Sequence, residues 1–297
     1  MNKQNFLFHF FHYKVIKYNN RWILTACVHI LYYNMKNFDK IIEYVNSSCW
    51  KDHTKTCIII EKAQEIFNRL IDGKTKKKFL YRLCGQTGSG KTTQLLPAVK
   101  RVAEVQNLKP VVLGVRTCAQ AHPNYEYFKD HFPPGELREK TNGFALKCMS
   151  YVLKLLIENG YMILLDITLL DPIFEKFLLD LLNRENYCIE YHILAVNKLI
   201  SNKFIEKRQQ KTGRIIYKSS ADYFYQILPE GLRYITSHDC KNNCFVWNAF
   251  DTKPVYMGKV CKCFNQFLKA REEIKPLSHT EEELVSSKFN IILSSKK

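Results

Sequence analysis

The chain has 297 residues, enough for one large domain or two small ones with a real core. Its hydrophobic (46%) and charged (25%) fractions are those of a soluble globular protein. A formal charge of +17 favours polyanionic partners, among them nucleotides, nucleotide sugars, nucleic acid and anionic membrane surfaces, without choosing between them. The eleven cysteines are scattered, several inside apolar runs such as Leu83-Cys84, and read as reduced thiols, not as a disulfide framework.

Residues 6–33 are rich in Phe, Tyr and Ile but interrupted by His9, His12, Lys14, Lys17 and Arg21. The cleanest apolar run, residues 22–33, is too short to span a bilayer, and no small-residue cleavage site follows it. Apolar residues recur at helical spacing over residues 37–45 and again over 55–71, where Ile59, Ala63, Ile66, Phe67 and Leu70 share a face. A charged, Gly-containing turn at residues 72–78 leads into Phe79-Leu80-Tyr81-Arg82-Leu83-Cys84, which suits a strand. The next eight residues, Gly85-Gln86-Thr87-Gly88-Ser89-Gly90-Lys91-Thr92, match the phosphate-binding loop G-x-x-x-x-G-K-[ST] at every defined position. Glycines let backbone N–H groups converge on a phosphate, and the helix opening at Thr92-Thr93 adds unpaired N–H groups beneath the same anion. In such a loop Lys91 reaches the β- and γ-phosphates of ATP or GTP, and the Thr92 hydroxyl ligates Mg²⁺.

Beyond this helix, residues 110–115 read as a second strand, followed by His122-Pro123-Asn124-Tyr125 and a turn at Pro133-Pro134-Gly135. Residues 146–158 are a helix ended by Asn159-Gly160. The near-continuous apolar run 161–166 is a third strand with both faces covered. A helix over 173–182, a strand over 188–196, and basic helices over 198–210 and 219–227 come next. Residues 244–248 and 255–257 can pair as short strands, and a helix over 263–273 precedes a polar, mobile tail. Strands alternating with helices predict an α/β fold: a phosphate-loop type, mostly parallel sheet flanked by helices, with N-terminal helices and a helical lid.

On a parallel sheet the carboxyl ends of the strands face the ligand crevice, so Asp166, closing the third strand, is expected beside the phosphate loop to share its Mg²⁺. Cys240, Cys244, Cys261 and Cys263 form the one metal-like cluster, but their C-x3-C and C-x-C spacings depart from zinc-ribbon pairs.

The order of these features resembles the zeta-toxin and UDP-N-acetylglucosamine kinase family of phosphate-loop proteins. The loop is similar to the family's G-Q-P-G-[AS]-G-K-[ST], His122-Pro123-Asn124-Tyr125 to its H-P-N-[FY], and Asp166-Ile167-Thr168 falls where it has E-G-T. Arg208 and Arg214 lie in a basic segment before Leu228-Pro229, as do that family's lid arginines, which contact the triphosphate. The resemblance implies a kinase moving a γ-phosphoryl group to a hydroxyl of a small substrate, in the best-known members UDP-N-acetylglucosamine. The resemblance raises a small antitoxin-like inhibitor as a partner, while the reduced thiols suit the cytoplasm and the short apolar run argues against a membrane span, signal-less export staying open. Nucleic acid has no support beyond the charge. Residues 85–93 would bind nucleotide, Thr92 and Asp166 the metal, and Arg116, His122, Asn124 and Thr168 the acceptor, with Lys91, Arg208, Arg214 and His122 in catalysis. The domain division expected is an extension at 1–34, the kinase-like domain at 35–262, and a helix and tail at 263–297.

The acceptor half departs from the family. The aspartate that serves there as base, six residues before the histidine, is here Arg116, and no carboxylate lies between Glu104 and Glu126. Leu170 replaces an arginine, Ile167 a glycine and Ser150 a glutamate. Three readings follow: a kinase whose acceptor meets Arg116 with its own phosphate or carboxylate, a nucleotide-binding protein that has lost catalysis, or a basic ATPase acting on nucleic acid. In the first, His122 or Asp166 helps the hydroxyl proton leave.

Overall fold

The computed structural model of the chain describes residues 17–18, 21–22, 52–168, 172–212, 216, 218–275 and 278–297. The chain divides into two units, residues 1–43 and 44–297. In the first, the described residues form a minimal antiparallel pair, β1 (Lys17–Tyr18) with β2 (Arg21–Trp22). The helix expected over residues 37–45 lies outside the described residues, as do Leu170 and Arg214.

The second unit is built on a six-stranded sheet. Helix α1 (Thr56–Ile71) precedes β3 (Phe79–Cys84), and a π-type turn at Lys91–Leu95 runs into α2 (Leu96–Val105). Then come β4 (Val111–Gly114), α3 (Val115–Ala119), α4 (Tyr125–His131), α5 (Pro134–Glu158) and β5 (Ile163–Asp166). They are followed by α6 (Pro172–Arg184), β6 (Cys188–Ala195), α7 (Lys198–Thr212) and α8 (Lys218–His238). The chain closes with β7 (Asn243–Asn248), β8 (Tyr256–Lys259), α9 (Phe264–Glu272) and α10 (Glu281–Ser294). Spatial order is β4-β5-β3-β6-β7-β8, parallel throughout except that β8 returns antiparallel at the edge. The β3 strand is therefore central, and Leu83 stands beside Asp166 of β5 in the ladder.

Alternation along β3 assigns its side chains to two layers. Tyr81 and Leu83 join Met162, Leu164, Leu194, Phe245 and Trp247 in a core closed by Leu95, Ala98, Val99 and Val102 of the loop helix. Leu80 and Arg82 face Leu178, Leu179 and Leu182 of α6, and the buried Arg82 donates to Glu175 at 2.8 Å.

Several helices differ from expectation: α3 and α4 occupy a stretch that reads as loop, and α8 runs through Pro229 to His238 instead of ending near residue 227. Helix α5 starts at Pro134, not near residue 146: Pro133-Pro134-Gly135 begins the helix, with Pro134 at the first position where its missing N–H costs nothing. The tail is not a mobile polar segment but helix α10. Thr280 caps it, its hydroxyl accepting from the Glu283 N–H while Glu283 accepts from the Thr280 N–H. Val285 and Ile292 enter the same core as α2, and Lys288, fully buried, donates to the Asp251 carbonyl at 3.0 Å.

All the described cysteines are free. Cys240 hydrogen bonds with Cys261 and Cys244 with Cys263, so the four-cysteine cluster resolves into two thiol pairs, and no metal-holding group of three His, Cys, Asp or Glu occurs among the described residues. No described helix is long and apolar enough to cross a membrane.

Candidate functional site

The phosphate loop leaves β3 at Cys84 and is held from three sides. Thr168, beyond β5, donates to the Gly85 carbonyl at 2.8 Å. Gln86 turns inward, fully buried, and its amide reaches the Val196 carbonyl at the end of β6 and the Ser201 hydroxyl in α7 at 2.8 Å. Gly88 has φ +79°, and a Cβ there would stand 2.4 Å from the Ser201 carbonyl, so α7 lies directly on the loop. Gly90 has φ +93° and forms the left-handed entry to the helix, accepting from the Gln94 N–H at 2.8 Å.

At the mouth of this loop three side chains converge. One Asp166 carboxylate oxygen stands 3.7 Å from Lys91 Nζ, and the other accepts from the Thr92 hydroxyl at 3.3 Å. Lys91 and Asp166 keep 15% and 17% of their side-chain surface exposed, so the pair is screened from bulk water but reachable. Asp166 Oδ1 is buried without a hydrogen-bond partner, and Gln86 Oε1, Ser89 Oγ and Gln94 Oε1 share that condition around the loop. Buried polar atoms seldom stay unsatisfied, so several at one loop mark a place built for a ligand. The donor set for a cation is one carboxylate and one hydroxyl, all oxygen. That suits Mg²⁺, which takes few protein ligands and completes its shell with water and phosphate oxygens. The residues present fit both a polyphosphate and its magnesium.

The remaining expected residues are less concentrated. Arg116 is exposed in the first turn of α3, just past the end of β4, whose Gly114 lies beside Asp166 in the ladder. Arg208 is exposed on α7, two turns beyond Ser201. Thr87 and Thr93 lie on the open side of the loop, half-buried and exposed respectively. Thr168 is buried and spends its hydroxyl on the loop backbone.

His122 requires a correction as a proton acceptor. Its Nδ1 accepts the Asn124 N–H at 3.0 Å, so the neutral ring carries its proton on Nε2 and has no free lone pair. Burial holds its pKa below the usual histidine range, against the opposing pull of Asp52. Its ring packs edge-on to Phe144 and tilted against Phe128. It lines a cleft of about 460 Å³ with Lys62, Glu65 and Arg69 of α1, and no phosphate-loop residue lines that cleft. The histidine motif shapes the turn into α4; Asn124, exposed, gives its backbone N–H to the ring. Sequence reasoning also missed the anchoring role of Gln86, for which the paired signal was Ser201, 115 residues away.

Comparison with known proteins agrees with this architecture. A family model described as Zeta toxin matches residues 65–256. A chain of the PezAT chromosomal toxin–antitoxin system of Streptococcus pneumoniae is 18% identical with a TM-score of 0.61, over 83% of this chain and all of that one. The AvrRxo1-ORF1:-ORF2 complex matches at 12% identity and a TM-score of 0.48, over 88% of this chain and 84% of its own. A putative kinase from Chloroflexus aurantiacus matches at 11% identity and a TM-score of 0.37, over 52% and 79%. No curated relative matches the sequence.

Proposed function

The chain belongs to the zeta toxin family, and from that premise we propose that it is a phosphotransferase that moves the γ-phosphoryl group of ATP or GTP to a hydroxyl of a small substrate. The observation that carries this reading is the convergence of Lys91, Thr92 and Asp166 at the loop mouth, with Asp166 Oδ1 left without a hydrogen-bond partner. In it, backbone N–H groups of residues 85–93 cradle the phosphates and Lys91 swings from Asp166 to the β- and γ-oxygens. Thr92 and Asp166 would hold magnesium, which would neutralise charge on the transferring group. Arg208, exposed on α7, adds positive charge from the lid side. Arg116 stands where the family has its base and favours an acceptor with its own phosphate or carboxylate. A loose transition state leaves less work for a strong base than for positioning.

A nucleotide sugar such as UDP-N-acetylglucosamine is the first acceptor to try, in a cytoplasmic setting and with an antitoxin-like protein as inhibitor. Incubation of the protein and γ-labelled ATP with a metabolite extract should label one small component, and Lys91→Ala should abolish it. Hydrolysis alone, or no turnover, would refute transfer and favour a nucleotide-binding protein silenced by Arg116. Arg116→Asp assayed with UDP-N-acetylglucosamine tests whether that one residue separates the chain from the family's substrate.

A further inference from the structure

The cleft of about 460 Å³ beside His122 opens between helix α1 and the turn joining α3 to α4. Ligand pockets generally hold about 300–1,000 Å³, so the space suffices for a small metabolite. Lys62, Glu65 and Arg69 recur at the spacing of one helix face and form one wall, while Gln120 and His122 stand on the other. The charges of the helical wall do not cancel. Lys62 Nζ is committed to both Glu65 carboxylate oxygens, at 2.9 and 2.8 Å, so that pair is neutral as a unit. Glu65 is thereby turned away from Arg69, four residues on, and Arg69 is exposed with no hydrogen-bond or ion-pair partner among the described residues.

His122 keeps only 8% of its surface exposed. With Nδ1 accepting the Asn124 N–H, the ring proton sits on Nε2, and that N–H has no acceptor among the described residues. Phe144 and Phe128 pack against the ring and fix its direction. Asp52, whose charge reaches His122, is itself paired with Lys147 at 3.5 Å. Only solvent or a ligand can therefore supply the missing acceptor. We propose that this cleft is a second binding site, taking a small anion whose oxyanion group lies between Arg69 and the His122 Nε2–H, beside the Gln120 amide. The planar fork of Arg69 matches a carboxylate or a phosphate, and the imidazole and amide N–H groups add neutral donors. No phosphate-loop residue lines the cleft, so the site stands independently of the nucleotide reading of that loop.

The test titrates citrate and inorganic phosphate separately into wild type, Arg69→Met and Arg69→Lys, following the assigned ring resonances of His122 by NMR. In wild type at least one probe should shift those resonances to saturation, and the tighter of the two names the anionic group as carboxylate or phosphate. Arg69→Met, a change at an exposed position, should keep the melting temperature and weaken the response at least tenfold, while Arg69→Lys should retain part of it. Phosphate held at the phosphate loop alone would leave the His122 resonances in place, so a loop occupant is not mistaken for a cleft occupant. Failure of nucleotide to bind at the loop alters none of these outcomes. The proposal is overturned if neither probe moves the His122 resonances, or if Arg69→Met responds with wild-type affinity.

Discussion

Replacing Gly88 with alanine probes how closely the lid helix is built onto the phosphate loop. The backbone there has φ +79°, which costs a residue with a Cβ about 1–2 kcal/mol. The added Cβ would lie 2.4 Å from the Ser201 carbonyl oxygen and 3.0 Å from Ile205 Cγ1. Ordinary contact begins at 3.4 Å, so the first turn of α7 must retreat by about 1 Å. That retreat pulls on the 2.8 Å Gln86–Ser201 hydrogen bond and on the packing of Ile205, together roughly another 2 kcal/mol. A total of about 3–4 kcal/mol should lower the melting temperature by roughly 6–16 °C in a unit of this size. Affinity for a fluorescent ATP analogue should fall at least tenfold, because the displaced turns carry Arg208. Gly73 is the control: its φ is +61° but nothing lies within 4 Å, so Gly73→Ala carries the backbone strain alone. It should cost about 1–2 kcal/mol and leave nucleotide affinity unchanged. Thermal melts and fluorescence titrations of both variants decide the matter. A Gly88→Ala protein that melts and binds like Gly73→Ala would refute the contact between loop and lid.

Other outcomes follow from the C-terminal helix and the buried charges. Burial pulls Lys288 down to about 8, so between that value and its unfolded pKa the unfolded chain holds more protons and stability rises with pH. That rise is on the order of 3 kcal/mol. It should be missing in Lys288→Met, so denaturant titrations at pH 7 and pH 10 should show the wild type gaining on the variant. Thr280→Ala removes a capping box and should cost about 1 kcal/mol, read as a fall in melting temperature of about 2–4 °C. His122, whose pKa is lowered, binds its proton more weakly in the folded state; stability should therefore fall as pH drops below its ordinary value of 6.5, and less so in His122→Asn.

The phosphate loop, the strands and Asp166 were legible because each is a local pattern: a glycine-spaced motif, short apolar runs and an acid at a strand end. Register then brings them together, since parallel strands share one carboxyl edge and Asp166 falls beside Leu83. Helix α10 was hidden by Lys288, a charged residue in the middle of its buried face, and by the polar look of a segment whose Glu281-Glu282-Glu283 form the first turn of a capped helix. The early start of α5 was hidden by Thr141-Asn142-Gly143, poor helix formers that are buried here and held by packing. The idle lone pair expected on His122 vanished through a hydrogen bond from the backbone two residues on, which no side-chain pattern records.

Asp166 and Lys91 are proposed to serve one polyphosphate and its magnesium, and the sharpest test is the magnesium dependence of nucleotide binding in Asp166→Asn. Wild type should bind a fluorescent ATP analogue at least tenfold more tightly with Mg²⁺ than with chelator. The variant should lose most of that gain while binding metal-free nucleotide at least as well as wild type, since Lys91 is released from its carboxylate. An Asp166→Asn protein whose affinity still rises with Mg²⁺ as much as wild type's would contradict the account.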